Sequence, residues 1–213
     1  MNVVTFTQMR DGTREDYVML HELEARYATG TADRLLTAME TLNDSLPGYR
    51  ITRLEHSLQA ATRAWADGAD EDWIVAALLH DMGDVYAPYN HDEYSASILR
   101  PFVREQCTWT VQVHADFQMI YYGHFIGAEQ HKRERHRGAP YFEDCVDFCE
   151  WWDQSSFDPA FRAKPLDFFA PILRSVFERP ANDPQVIQPG WRVPLVDRSV
   201  AEQRAALAVD EEQ

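Results

Sequence analysis

Residues 70–81, Asp-Glu-Asp-Trp-Ile-Val-Ala-Ala-Leu-Leu-His-Asp, constrain this chain more than any other segment. Asp70 is a good helix N-cap, and the run from Trp73 to Leu79 is apolar on every side, so the helix it forms belongs at the centre of a fold. His80 and Asp81 then stand side by side at the helix end, just before Gly83. A charged carboxylate in a core is costly unless it is hydrogen-bonded or coordinated, because burial penalises the charged form. A metal ion satisfies both residues. The aspartate can bridge two ions through its two oxygens while its neighbour binds one.

The rest of the chain has helical periodicity. Apolar spacing predicts helices at about 15–27, 31–42 with Thr31 as N-cap, 51–67, 91–102, 106–126, 140–154 and 165–178, besides the central one. No segment alternates with period two or repeats, so the fold class is all-α. Residues 1–180 read as one helical domain with N-terminal helices inside 14–44. Residues 181–213 read as a proline-containing extension that wraps the domain, ending in an acidic tail.

Composition narrows the partners. With 213 residues, 45% of them apolar, the chain can bury one sizeable core. Its 20 basic and 35 acidic residues give a net charge of −15, which disfavours nucleic acid and anionic membranes as partners. No run of 18 apolar residues and no targeting pattern occurs, so a cytoplasmic location is expected. Cys107, Cys145 and Cys149 cannot all pair, and reduced, core-packed thiols are the reading.

Four further residues complete a candidate ligand set with His80 and Asp81: His56 on the preceding helix, His91 opening the following one, His114 inside a long helix and Asp153 ending another. Any of these alone is more often a surface or hydrogen-bonded residue; the six in order carry the argument. Imidazoles with carboxylates suit iron, manganese or zinc, and a bridging carboxylate with mixed nitrogen and oxygen ligands favours redox iron.

The stretch RLEHSLQAATRAWADGADEDWIVAALLHDMGD, residues 53–84, resembles the opening of the HD-domain superfamily. Its LEHSLQ is similar to the form found in the HD-domain mixed-valent diiron oxygenases that cleave hydroxylated phosphonates, relatives of inositol oxygenase. The likeness continues through NHDEYSASILRPF, HADFQMIYYGHF and FCEWWDQSSFDP, and covers about residues 49–180. It implies an HD-domain helical bundle with a dinuclear site at its centre and two iron ions, Fe(II) with Fe(III). One iron would take His56, His80, Asp81 and Asp153, the other Asp81, His91 and His114, and Asp81 would bridge them. Dioxygen would be the co-substrate.

Departures from the family pattern point to the substrate. Asp84 stands where the family has a histidine or lysine, Gln118 where it has a lysine, and Trp151-Trp152 replace an Arg-Trp pair. Basic groups are lost, and Phe117, Tyr121, Tyr122 and Trp152 supply a high density of rings beside an acidic residue. Rings and a carboxylate suit a quaternary ammonium group, which donates no hydrogen bond. The resemblance therefore implies organophosphonate catabolism: C–P cleavage of a 1-hydroxyalkylphosphonate, (R)-1-hydroxy-2-(trimethylamino)ethylphosphonate, with O2, to glycine betaine and phosphate.

The phosphonate needs positive partners, and the dense basic run is HKRERHR, residues 131–137. Arg133 and Arg135 are candidates because a guanidinium binds such oxygens in bidentate fashion. His124 and Gln118 are candidate uncharged donors, and Asp84, Tyr122 and Trp152 candidates for the ammonium end. Tyr49 matches, across a gap of three residues, a family tyrosine that occupies an iron until substrate displaces it. A competing function is an HD-type metal-dependent phosphohydrolase of a nucleotide or other phosphomonoester, with a metal-activated water as nucleophile. A non-enzymatic HD module is a third reading, but it should have lost ligand positions. Oligomeric state cannot be read from the sequence.

Overall fold

A computed structural model describes residues 3–211 of the chain. Helices and turns make up the regular structure of these residues. The first and last two residues, the latter ending the expected acidic tail, lie outside the description.

The helices are α1 (Arg14–Ala28), α2 (Thr31–Glu40), α3 (Arg53–Ala66), α4 (Glu71–Leu79), α5 (His91–Leu99), α6 (Glu105–Tyr122), α7 (Phe142–Phe148), α8 (Leu166–Phe177) and α9 (Arg198–Glu211). Their starts follow the capping chemistry of the sequence. Thr52 and Glu55 form a reciprocal capping box on α3, Thr13 and Asp16 one on α1, and the Asp70 carboxylate accepts from the Trp73 amide at the start of α4. Thr31 departs from expectation. Gly30 is the cap of α2, and the Thr31 hydroxyl is turned back to donate to the Ala28 carbonyl.

Helix α4 is the axis of the molecule. Every residue from Asp72 to Leu79 is buried, and full burial of one such aliphatic side chain contributes about 1.5–3 kcal/mol of transfer free energy. Helices α3, α6 and α8 pack against it, α5 packs on α6, and α2 packs on α8 through a face that buries Ala32, Leu35 and Met39. Helix α1 buries none of its residues. After α8 the chain makes turns and then runs extended across the domain. There the Val193 carbonyl accepts from the Trp73 indole at 3.1 Å, Arg192 pairs with Asp144 at 2.7 Å, and Leu195 is buried.

Gly68 ends the α3 turn at φ +80°. A Cβ there would lie 2.1 Å from the Asp197 carbonyl oxygen, so only glycine lets the C-terminal strap come this close. No helix among the described residues is long and apolar enough to cross a membrane.

Candidate metal centre

Five elements converge at the C-terminal end of α4. His56 comes from α3, His80 and Asp81 from the end of α4, His91 is the first residue of α5, His114 lies in α6, and Asp153 closes a π-helical turn, Cys149–Asp153, that continues α7. The wide turn adds a residue to the local repeat, a device that re-aims a side chain. Gly83 allows the approach of α5: a Cβ at this position would sit 2.4 Å from the His91 Cα. Five of the six side chains are buried, and His91, with 22% of its side chain exposed, faces the opening.

The imidazoles are oriented by the backbone. Nδ1 of His56 lies 2.8 Å from the Ser156 carbonyl, that of His80 2.9 Å from Ala77, and that of His114 2.6 Å from Val111. A carbonyl only accepts, so each Nδ1 carries a proton and each ring turns its Nε2 inward. The Nε2 atoms of His56 and His80 are 3.0 Å apart. Nitrogens that close, with carboxylates beside them, call for a proton or a metal ion shared among them.

The carboxylates divide the rings into two sets. Asp81 Oδ2 is 3.2 Å from His56 Nε2 and 3.1 Å from His80 Nε2, whereas Asp81 Oδ1 is 3.4 Å from the Nε2 atoms of both His91 and His114. Asp153 Oδ1 completes the first set, 3.3 Å from His56 and 3.6 Å from His80. Asp153 Oδ2 is buried with no hydrogen-bond partner. An orphaned carboxylate oxygen, paired lone-pair donors and an aspartate with one oxygen toward each set fit a two-metal centre. Three groups bring ligand atoms within 4.8 Å of one another and could hold a metal: His56 with His80 and Asp81, Asp81 with His91 and His114, and, across these two, His80 with His114 and Asp153.

The electrostatics favour a cation. Burial alone would push the Asp81 carboxyl up, but the Arg53 guanidinium and His80 hold it well below the usual carboxylate range. Asp153 is lowered in the same way by His80 and His56. Burial would lower His80, but Asp81 and Asp153 outweigh it and raise His80 well above its ordinary value.

A cavity of about 760 Å³ opens from this centre. Tyr49, Asp84, Gln118, Tyr121 and Tyr122 line it. His114, Gln118, Tyr121 and Tyr122 are spaced i, i+4, i+7 and i+8 and so share one stripe of α6. Tyr49 stacks on Phe157 at 5.2 Å, and Phe157 stacks on the His56 ring at 4.4 Å.

Other expected residues lie elsewhere. Trp152 is fully buried in the core, edge-on to Trp73 and Phe148, and its indole donates to Asp67 at 2.8 Å. It is not part of the cavity wall. Phe117 is also core, packed on Phe142 at 5.0 Å, because it leaves the α6 stripe. His124 lies exposed in the turn beyond α6, its ring against Phe125.

The basic run also turns away from the cavity. Lys132, Arg135 and His136 all engage Asp116, which is two residues past His114 and so on the far side of α6; Lys132 Nζ is 2.6 Å from it. Arg133 lies 3.7 Å from Glu134. Neither Arg133 nor Arg135 lines the cavity.

Two cavity residues carry a signal the sequence reading passed over. Arg53, three residues before His56 and so on the same side of α3, donates to Asp81 and, at 2.6 Å, to Asp84. Among the described residues it is the only lysine or arginine lining the cavity. Asp84 is therefore charge-paired, whereas Asp44, also on the wall, forms no ion pair among the described residues.

The HD-domain family model matches residues 53–144, a stretch that holds His56, His80, Asp81, His91 and His114 and ends before Asp153. The chain carries that domain as an all-α bundle around a His/Asp cluster. A curated relative, (1-hydroxy-2-(trimethylamino)ethyl)phosphonate dioxygenase (glycine-betaine-forming) of Leisingera caerulea, is 35% identical over 78 residues, 32% of this chain and 40% of the relative. The match spans less than half of that relative's length.

Proposed function

We propose that this chain is an HD-type diiron oxygenase that cleaves the carbon–phosphorus bond of a 1-hydroxyalkylphosphonate. The substrate we assign is 1-hydroxy-2-(trimethylamino)ethylphosphonate, with O2 as co-substrate and glycine betaine and phosphate as products. The observation that carries the reading is the division of the ligands by Asp81, one oxygen toward His56 and His80 and the other toward His91 and His114. The partial match to a dioxygenase with this substrate in its name supports the choice among HD-domain activities.

His56, His80, Asp81 and Asp153 would hold one iron, and Asp81, His91 and His114 the other. When bound, the mixed-valent pair supplies Lewis acidity and a redox partner for dioxygen. The chain's own residues orient and shield. Backbone carbonyls hold Nδ1 of His56, His80 and His114, so that each Nε2 faces the cluster before any ligand arrives. The phosphonate enters toward the cluster and the trimethylammonium lies outward, where Tyr122 offers a ring and Asp44 a carboxylate with no ion pair among the described residues. Phe157, stacked on His56, covers one flank of that imidazole against water. The overall reaction balances without an external reductant: C1 goes from carbinol to carboxylate, phosphorus leaves as phosphate, and one O2 accepts four electrons.

The test is oxygen uptake and phosphate release on adding the hydroxyphosphonate to protein purified from iron-supplemented cells. Equal amounts of O2 consumed and phosphate formed are expected, with no phosphate under argon. Turnover that continues without oxygen, or full activity with zinc alone, would replace this reading by a phosphohydrolase.

A further inference from the structure

A phosphorus oxyanion needs a positive partner, and the basic run at 131–137 does not supply one, since its charges are directed at Asp116 and Glu134. Among the described residues Arg53 is the only lysine or arginine on the cavity wall, with 9% of its side chain exposed. Its guanidinium is held at one edge. Nε donates to Asp84 at 2.6 Å and Nη2 donates to Asp81. Nη1, with two N–H groups, donates to no acceptor among the described residues. It is also absent from the fully enclosed unpartnered atoms, so it keeps some exposure on a residue that lines the cavity.

The Asp84 contact is a tether: with Nε held by Asp84 and Nη2 by Asp81, the guanidinium plane is fixed and Nη1 is the group left for a guest.

From this arrangement we infer that Arg53 is the receptor for the oxyanion of the substrate, tethered by Asp84. The inference rests on the reading that this cavity takes a phosphorus oxyanion. It gives Asp84 a positioning role, in place of the cation-binding role that its charge alone implied. A guanidinium with fixed orientation presents paired N–H groups to tetrahedral oxygens, whereas a lysine in its place would offer only a point charge without the tether. The oxyanion thus binds at the cluster end of the cavity, and the outer end remains for the cationic group.

The experiment is calorimetric binding without oxygen, using methylphosphonate as the oxyanion probe and tetramethylammonium as the cation probe. The proteins are full-length wild type, Arg53→Gln, Arg53→Lys and Asp84→Asn, each checked for bound metal by elemental analysis. Arg53→Gln should weaken methylphosphonate binding by 30-fold or more and leave tetramethylammonium within twofold, at wild-type metal content. Arg53→Lys and Asp84→Asn should fall between, at three- to tenfold. Should Arg53→Gln fail to fold, the latter two variants carry the test.

Methylphosphonate binding that is unchanged in the variants, or absent from the wild type, overturns the inference. So does equal loss of both probes, or loss of metal in Arg53→Gln, which would make Arg53 a support of the ligand set. The two readings fail separately. A wild type that ignores the hydroxyphosphonate under air but binds methylphosphonate through Arg53 would remove the oxygenase assignment and leave the receptor in place.

Discussion

His56 and His80 face each other across 3.0 Å, Nε2 to Nε2, with the opposite nitrogen of each ring committed to a backbone carbonyl. Neither ring can turn away without abandoning a buried hydrogen bond. A metal ion would take the place of the protons these nitrogens share with the carboxylates, so metal binding and fold stability are linked. A chelator should lower the melting temperature by on the order of 10 °C, the shift expected when a ligand at about a thousand times its Kd is withdrawn from a domain of this size. Differential scanning fluorimetry with and without chelator checks it; an unchanged melting temperature would mean that no metal is held.

Asp81→Asn keeps the shape of the side chain and removes its charge. Both ligand sets lose a carboxylate oxygen with full negative charge, so bound metal should fall from two ions per chain to one or fewer, with at least a 100-fold loss of phosphate release. Elemental analysis of the purified variant decides this, and two ions retained would argue against Asp81 as the shared ligand.

Gly83→Ala tests how α5 reaches the cluster. The added Cβ would lie 2.4 Å from the His91 Cα, against backbone that cannot rotate away. The substitution should push His91 outward and deplete the Asp81–His91–His114 set, leaving the His56 and His80 set loaded. Stoichiometric metal titration should then show one tight site where the wild type has two.

Tyr122 lines the cavity and is 42% exposed, as befits a ring that receives a guest from solvent. Loss of a cation–π contact of about 0.5–2 kcal/mol predicts a KM roughly 2- to 30-fold higher for Tyr122→Leu, with kcat little changed. The neutral isostere, with a quaternary carbon in place of nitrogen, should show no such rise. Equal effects on both compounds would remove the ring from the cation site.

Trp152 behaves differently because it belongs to the core. Trp152→Ala should destabilise the protein by about 3–5 kcal/mol through the cavity it leaves. Trp152→Phe, which forfeits the hydrogen bond to Asp67, should lose about 1–3 kcal/mol. Urea denaturation measures both, and in Trp152→Phe the KM for the hydroxyphosphonate should stay within a factor of two.

The helices were legible because their signals are local. Capping boxes, the apolar run of α4 and the stops at Gly68 and Gly83 act within a few residues of themselves. The candidate ligands were legible too, since a histidine and an aspartate ending an apolar helix pose a solvation problem with few solutions. Arg53 was passed over although it precedes His56 by three residues, because nothing in the sequence pairs it with Asp84, 31 positions away.

By itself the sequence determined the helical class, the central helix and the order of the six candidate ligands, since periodicity and side-chain chemistry do not depend on distant partners. Only the tertiary structure decided how those residues face one another. It set the two oxygens of Asp81 toward different imidazole pairs, sent Trp152 and Phe117 into the core, spent the basic run on Asp116, and left Arg53 as the cation on the wall. The physical reason is direction. A charge or a ring acts only on what its helix face meets, and that depends on which helices pack together and at what rotation.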